Sequence, residues 1–359
     1  MNRPTTKDLA KAAGVSLATV DRVLNARAGV RQATVERVQK AIKEINFARD
    51  ISAANLARKK GYELVFLLPA HDDEFIDLIQ NEIVEASSFL VQERTNVSII
   101  RAPANDPHRI AEEIDNLSAS EIDGVAIMAP ETPQVRDAIL RLETRGLAVI
   151  AFISRQPNAE NAYYVGINNE AAGRTVGQLM ARFTGQRQGT VLVLTETMQS
   201  RDSQERRLGF DAIMAKYATR LKVGPSMETY DDPLRVEKVV RMALQSYSNV
   251  VGIYLMNHDI GKIMQVIEDL DMAQQTAIIG HELTLLTRAR LIDGSIDAVI
   301  AQDVGHLVRS SIRVLRAKIT QVSPVASQER IRIEIMLREN MPEEKTLKAR
   351  KSAVFPYFS

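Results

Sequence analysis

Residues 5–25 read TTKDLAKAAGVSLATVDRVLN, and this stretch decides the fold of the N-terminal region. Thr5, followed three residues later by Asp8, has the form of a capping box, in which each residue satisfies an orphan N–H near the other. A short helix carrying Leu9, Ala12 and Ala13 follows. Gly14 tolerates the positive φ that a helix stop requires. Ser16 is a good N-cap for a second helix, SLATVDRVLN, whose apolar stripe is Val20, Val23 and Leu24. Leu17, Ala18, Asp21, Arg22 and Asn25 are left on the opposite side. A third helix is expected from about Gln32 to Ile45, burying Val35, Val38, Ile42 and Ile45. Three short helices, a tight glycine turn and an arginine on the outer face describe a helix-turn-helix that presents its second helix to DNA.

The charge distribution agrees. Over 359 residues the formal net charge is only +1, but residues 1–60 hold 13 Lys/Arg against 5 Asp/Glu. The remainder holds 33 against 40, so a basic head sits on an acidic body and only the head suits a polyanion. With 45% hydrophobic and 25% charged residues, the chain is of ordinary globular composition and long enough for two or three domains. It has no cysteine, which excludes disulfides, thiolate metal sites and a cysteine nucleophile. No apolar run approaches the ~20 residues of a membrane span. The first residues, MNRPTTKDLAKAAG, lack the apolar stretch of a secretory signal, so a cytoplasmic location is expected.

The head resembles the lactose-repressor (LacI) family almost position by position over residues 5–25, and the likeness continues into DISAANLARKKGYEL, residues 50–64. The resemblance implies that Leu17, Ala18 and Arg22 read bases. Arg22 suits a bidentate contact with guanine, and Leu17 and Ala18 suit apolar contact with a thymine methyl. It also implies that Thr6, Ser16, Thr19, Asn25 and Thr34 touch backbone phosphates, and that Leu56 is the hinge leucine that wedges into the minor groove. Three departures are visible. Asp21 stands where the family often has Ser, Arg31 replaces a Ser that caps the third helix, and Arg49-Asp50 replace a Pro-Asn pair. They alter the expected operator sequence rather than the act of binding.

From Glu63 onward, strand-length apolar runs alternate with amphipathic helical stretches. The runs are ELVFLL, NVSII, GVAIM, LAVIAFI, TVLVL, VVGIYL, TAIIG and DAVIA. PQVRDAILRLETRG, EAAGRTVGQLMARF, SQERRLGFDAIMAKY and DIGKIMQVIEDL are among the helices. Such alternation indicates doubly wound α/β sheets with buried parallel strands, whose ligands bind beyond the carboxyl ends of the strands. No G-x-G-x-x-G or Walker A motif follows a strand, so no nucleotide cofactor is expected.

This body resembles the type I periplasmic binding fold, and the ribose-type sugar binders in particular. By that resemblance Phe75 covers one face of a sugar ring, and Arg155 and Arg206 grip hydroxyl oxygens. Asn257, Glu282 and Gln302 are implied as the remaining polar contacts. Glu282 replaces a frequent Asp, and Ser154 also stands where Asp is common. GHLVRSSIRVLRAKI is expected to cross back as a helix and ERIRIEIMLREN to return as a strand, so that each lobe is discontinuous. The expected organisation is a helix-turn-helix domain over 1–49, a hinge over 50–60, a sensor over 61–342 and a tail over 343–359. Within the sensor, an N-subdomain spans about 61–168 plus 303–325 and a C-subdomain about 169–302 plus 326–342.

An enzyme is not expected. His71, His108, His258, His281 and His306 have no metal-ligand spacing, no G-x-S-x-G elbow appears, and the suggestive pair His281-Glu282 falls at an implied ligand position. Catalytic residues, metal and cofactor are all expected to be none. The expected function is a sequence-specific DNA-binding regulator, acting as a repressor of sugar or polyol genes under allosteric control by a small sugar-like effector. A phosphorylated sugar, a sugar acid or a protein partner is the alternative signal. The expected partners are a near-palindromic double-stranded operator and a second copy of the chain, with a homodimer favoured and a tetramer left open.

Overall fold

The computed structural model describes residues 4–24, 29–45, 47, 61–70, 73–103, 106–156, 163–230 and 232–342. In the head, α1 spans Thr6–Ala13, α2 Leu17–Leu24 and α3 Gln32–Glu44. The capping box forms: Thr5 N–H donates to Asp8 Oδ2 at 2.8 Å and Asp8 N–H to Thr5 Oγ1 at 3.3 Å. Gly14 takes φ 61° and closes α1. Ser16 Oγ accepts from the Thr19 N–H at 3.1 Å, which caps α2. Leu9, Val20 and Val38 are fully buried and join Ala10, Ala13, Ala41 and Phe47 in a small core. Of the four core residues expected on α3, only Val38 is fully buried; Ile42 and Ile45 lie at the rim, and Ala41 and Phe47 fill the space instead.

The body begins with β1 (Tyr62–Pro69), α4 (Glu74–Leu90), β2 (Thr95–Ala102), α5 (Pro107–Asn116), β3 (Gly124–Ile127), α6 (Pro133–Thr144), β4 (Ala148–Phe152) and β5 (Tyr163–Val165). These strands make one parallel sheet in the order β2-β1-β3-β4-β5. Next come α7 (Asn169–Phe183), β6 (Gly189–Thr195), α8 (Arg201–Met214), β7 (Leu221–Glu228), α9 (Pro233–Ser246) and β8 (Val250–Leu255). α10 (Gly261–Asp269), β9 (Ala277–His281), α11 (Leu285–Asp293) and β10 (Ala298–Gln302) complete this half. The chain then returns as α12 (Val304–Ile319), which packs on β3, β4 and α4 of the first sheet. Last, β11 (Ile333–Met336) joins the second sheet antiparallel to β10, giving the order β11-β10-β9-β8-β6-β7.

All eight apolar runs form strands, because near-continuous Val, Ile, Leu and Ala suit a sheet covered by helices on both faces. β5 and β7 were not evident from the pattern. β5 is only three residues long. β7 contains Gly224 and Pro225, which weaken a strand signal, and it sits at the sheet edge, where a proline is tolerated.

The two lobes touch across the cleft between them. The Phe75 ring on α4 stacks on His258, with centroids 5.8 Å apart and planes 6° from parallel. The Leu286 N–H on α11 donates to Glu74 Oε2 at 3.2 Å, and Arg201 Nη1 lies 4.0 Å from Glu131 Oε2. Among the described residues no helix is long and apolar enough to cross a membrane.

Candidate functional site

On α2 the side away from Val20 exposes Leu17 (47%), Ala18, Asp21 and Arg22. Thr6 and Ser16 are exposed, and Thr19 and Thr34 half-buried. The Ser16 and Thr19 hydroxyls hydrogen-bond each other at 2.8 Å. The Arg31 side chain has no acceptor to cap α3, and the first N–H bonds of that helix, from Thr34 and Val35, go to the Arg31 carbonyl oxygen. Asn25 and Leu56 lie outside the described residues.

The body gathers buried polar groups where β8, β9 and β10 end. These are adjacent parallel strands, about 4.8 Å apart in such a sheet. Their register pairs Tyr254 with Ile279 and Ile300 with His281, so Asn257 and Glu282, just past β8 and β9, and Gln302, the last residue of β10, lie at nearly one level. Glu282 adopts φ 60°, a left-handed backbone that costs a non-glycine residue about 1–3 kcal/mol and is concentrated at functional sites. Its carboxylate accepts from Gln302 Nε2 at 2.8 Å. Arg206 comes down from α8 with its Nη2 3.8 Å from Glu282 Oε1, too long for a hydrogen bond, and its Nε donates to Asn169 Oδ1 at 3.0 Å. Asn257 Nδ2 donates to Thr229 Oγ1 at 2.7 Å. Arg206 is 2% exposed, Glu282 1% and Asn257 0%.

Several atoms here are buried yet make no hydrogen bond among the described residues: Arg206 Nη1, Asn257 Oδ1, Gln302 Oε1 and His281 Nδ1. Each such atom costs about 1–3 kcal/mol, so their concentration around the carboxyl ends of adjacent interior strands makes this the candidate binding site. Burial raises the Glu282 carboxyl above its usual range, opposed by Arg206, His258 and Gln302. Burial, aided by Arg206 and His258, holds His281 well below its usual value, so this ring is neutral. His258 goes the other way. Burial lowers its pKa, but Glu196, with Oε2 3.7 Å from His258 Nδ1, and Asp73 outweigh that and raise it to about 9.

Residues 64–321 match the family described as a periplasmic binding protein domain, and residues 5–50 match bacterial regulatory proteins of the lacI family. The chain belongs to the LacI family. Among curated relatives, the ribose operon repressor of Escherichia coli (strain K12) is 30% identical over 138 residues, 38% of this chain and 40% of the repressor. Catabolite control protein A of Staphylococcus aureus (strain Mu50 / ATCC 700699) is 24% identical over 181 residues, 50% of this chain and 52% of that protein. The matches thus span about half or less of these relatives' length. Among solved structures, GanP, a glucose-galactose binding protein from Geobacillus stearothermophilus, superimposes with a TM-score of 0.70 at 17% identity, covering 79% of this chain and 100% of that one. An ABC transporter solute binding protein from Burkholderia graminis C4D1M, in complex with D-arabinose, gives 0.68 at 22%, with 78% and 96% covered. At these identities the likeness shows the fold.

In this LacI-family chain, four of the six residues expected to meet a ligand, namely Arg206, Asn257, Glu282 and Gln302, share the buried strand-end cluster. Phe75 is buried against His258, with its ring in the lobe contact. Arg155 stands apart: it is exposed, and its guanidinium lies 4.7 Å over the Tyr164 ring. The sequence reading passed over Asn169, which orients Arg206, and Thr229, which orients Asn257. It also passed over Tyr254, whose hydroxyl meets His281 Nε2 at 2.8 Å, and over His258 as a partner of Phe75. None of these pairs is a neighbour in sequence, so no local signal marks them.

Proposed function

We propose that this chain is a DNA-binding transcriptional regulator, acting as a repressor of sugar or polyol genes, that is controlled by a small polar ligand held between its two lobes. The observation that carries the sensing half is the buried Arg206 with Nη1 unpartnered beside the free amide oxygens of Asn257 and Gln302. The head supports the other half: Arg22 on exposed α2 reads a guanine, Leu17 and Ala18 contact a thymine methyl, and Thr6, Ser16, Thr19, Asn25 and Thr34 hold phosphates. Leu56 is assigned the minor-groove wedge. The head spans 1–49, the hinge 50–60 and the sensor 61–342, with lobes of about 61–168 plus 303–325 and 169–302 plus 326–342. Two copies pair so that two heads meet a near-palindromic operator in the cytoplasm. Relatives named as regulators rather than enzymes favour a non-catalytic role.

Ligand shifts the equilibrium between DNA-competent and released states only by its differential affinity for the two. The test begins with affinity selection of random duplexes by the full chain, which should enrich a near-palindromic site. Anisotropy on that site, with and without the sugars and polyols that raise the melting temperature, then reads the response. Arg206→Ala should keep operator binding and lose the ligand response, and Arg206→Lys, which retains a buried cation, guards against simple unfolding. No enriched duplex overturns the regulator reading. A full ligand response in both Arg206 variants overturns the site.

A further inference from the structure

We propose that the two lobes are drawn shut by an electrostatic latch of fixed polarity, carboxylates on the first lobe against positive groups on the second, so that closure weakens as ionic strength rises. The latch acts on closure itself, whichever ligand the cleft takes.

Three polar contacts cross the cleft with their charges in the same sense. Glu74, the first residue of α4, accepts from the Leu286 N–H at 3.2 Å. Leu286 is the second residue of α11, where a helix leaves its N–H groups unpaired and carries the positive end of its dipole. The Glu74 carboxylate therefore lies at the N-termini of two helices, its own and one of the other lobe. Glu131, past β3 in the first lobe, stands 4.0 Å from Nη1 of Arg201, which opens α8 in the second. Glu205 holds the same guanidinium through its Nε at 2.9 Å. Asp73, the N-cap of α4, makes the third contact by acting on His258 of the second lobe, whose ring stacks on Phe75. Burial works against a charge on that imidazole, but Glu196 and Asp73 outweigh it, so the ring is a cation at neutral pH. Arg155, a first-lobe cation that could break the pattern, engages Tyr164 of its own lobe instead.

Each contact alone is weak. Glu74 is exposed and the Arg201 side chain is 40% exposed, and water screens such pairs. Three in one sense add. Their attraction also does not cancel when the lobes part, because the first lobe still presents carboxylates to a positive rim. The same exposure opens them to salt. From about 0.1 M to about 1 M the Debye length falls from about 10 Å to about 3 Å, shorter than the 4.0 Å between Glu131 and Arg201. A ligand that needs closed lobes has an apparent dissociation constant divided by the closed fraction, so the same effector is held more weakly at high ionic strength. Any binding of the head to DNA falls with salt by a separate route, through its phosphate contacts. Closure is therefore best measured without DNA.

The experiment reads closure directly, by pulsed electron spin resonance on the full chain at neutral pH with neither ligand nor DNA. Spin labels are carried by Gln80→Cys on α4 and Ala289→Cys on α11, and the chain has no cysteine of its own to compete. Labelled chain is diluted with unlabelled chain, so that each measured pair lies in one molecule. Between about 0.1 M and about 1 M sodium chloride the ratio of short to long distances should fall about threefold or more. Glu74→Gln and Glu131→Gln should each lower the ratio at the low salt, and the double variant should flatten its salt dependence. Glu131→Lys, which sets a like charge against Arg201, should lower it further than Glu131→Gln. A ratio that salt does not move in the parent chain overturns the latch. So does a ratio that salt moves equally in the parent and in the folded double variant. Either outcome leaves ligand sensing untouched, because no ligand is present in the measurement.

Discussion

A Cβ atom built on Gly173 would stand 1.9 Å from the carbonyl oxygen of Arg206. The reciprocal holds one turn on, where a Cβ on Gly209 would meet the Glu170 carbonyl oxygen at 2.0 Å. Helices α7 and α8 thus cross backbone to backbone, and the crossing sets how far the Arg206 guanidinium reaches toward Asn169 and Glu282. Gly173→Ala must push α8 outward, at a cost of about 1–3 kcal/mol for overpacking. The expected result is a lower melting temperature together with loss of the ligand-induced shift, measured by thermal denaturation with and without a sugar or polyol that stabilises the parent chain. A variant that melts early but keeps its ligand affinity would uncouple the helix crossing from the site.

The crossing illustrates what the sequence made legible and what it did not. Thr5, Asp8, Gly14 and Ser16 announced the head because caps and turns are local chemistry, and each behaves as its spacing implies. The doubly wound body was legible from buried strand runs alternating with helices. Arg206, Asn257, Glu282 and Gln302 were named through a family resemblance, and their meeting depends on strand order and register, which no window of sequence contains. The same tertiary dependence hid the roles of Asn169 and Thr229 as orienting partners, and of His258 opposite Phe75. Arg155 looks like Arg206 in sequence but not in burial, because it follows a strand of the other lobe and leans on Tyr164.

Stability should peak near neutral pH, limited on each side by a different histidine. Burial works against His258, but Glu196 and Asp73 raise its pKa from 6.5 to about 9. Its contribution is complete below the unfolded value near 6.5 and lost as pH rises through about 9. His281 is buried with its pKa well below 6.5, so its contribution is present above that value and lost as pH falls. Urea denaturation across pH 5 to 9.5 should show both limbs, with His258→Gln flattening the alkaline one by on the order of 2 kcal/mol and His281→Phe flattening the acid one. Unchanged limbs in the two variants would mean that other groups govern the profile.

Arg22 should carry sequence discrimination and not merely charge. It lies exposed on α2, and a bidentate arginine–guanine contact is worth about 1–3 kcal/mol of discrimination. Arg22→Ala should therefore weaken the selected operator by roughly tenfold to a hundredfold, given the tenfold change that each 1.4 kcal/mol brings, while binding to unrelated duplex falls far less. Fluorescence anisotropy at fixed salt reads both. Equal losses on the two duplexes would assign Arg22 to phosphate.

The last prediction separates two roles for Phe75. Its ring is buried in an apolar cluster that draws on both sheets, and it also stacks on His258 of the second lobe. Phe75→Leu keeps an apolar side chain of similar bulk, which should cost less than about 1.5 kcal/mol of stability. It removes the flat face that meets the imidazole, so the closed arrangement of the lobes loses one of its cross-cleft contacts while Glu74–Leu286 and Arg201–Glu131 remain. With the proposed ligand site between the lobes, the dissociation constant should rise about tenfold, equivalent to about 1.4 kcal/mol, and the change should appear mainly in the off-rate. Stopped-flow release of ligand from the two proteins measures it. If the melting temperature falls while the off-rate stays the same, Phe75 serves the core alone, and closure depends on the polar contacts at Glu74 and Arg201.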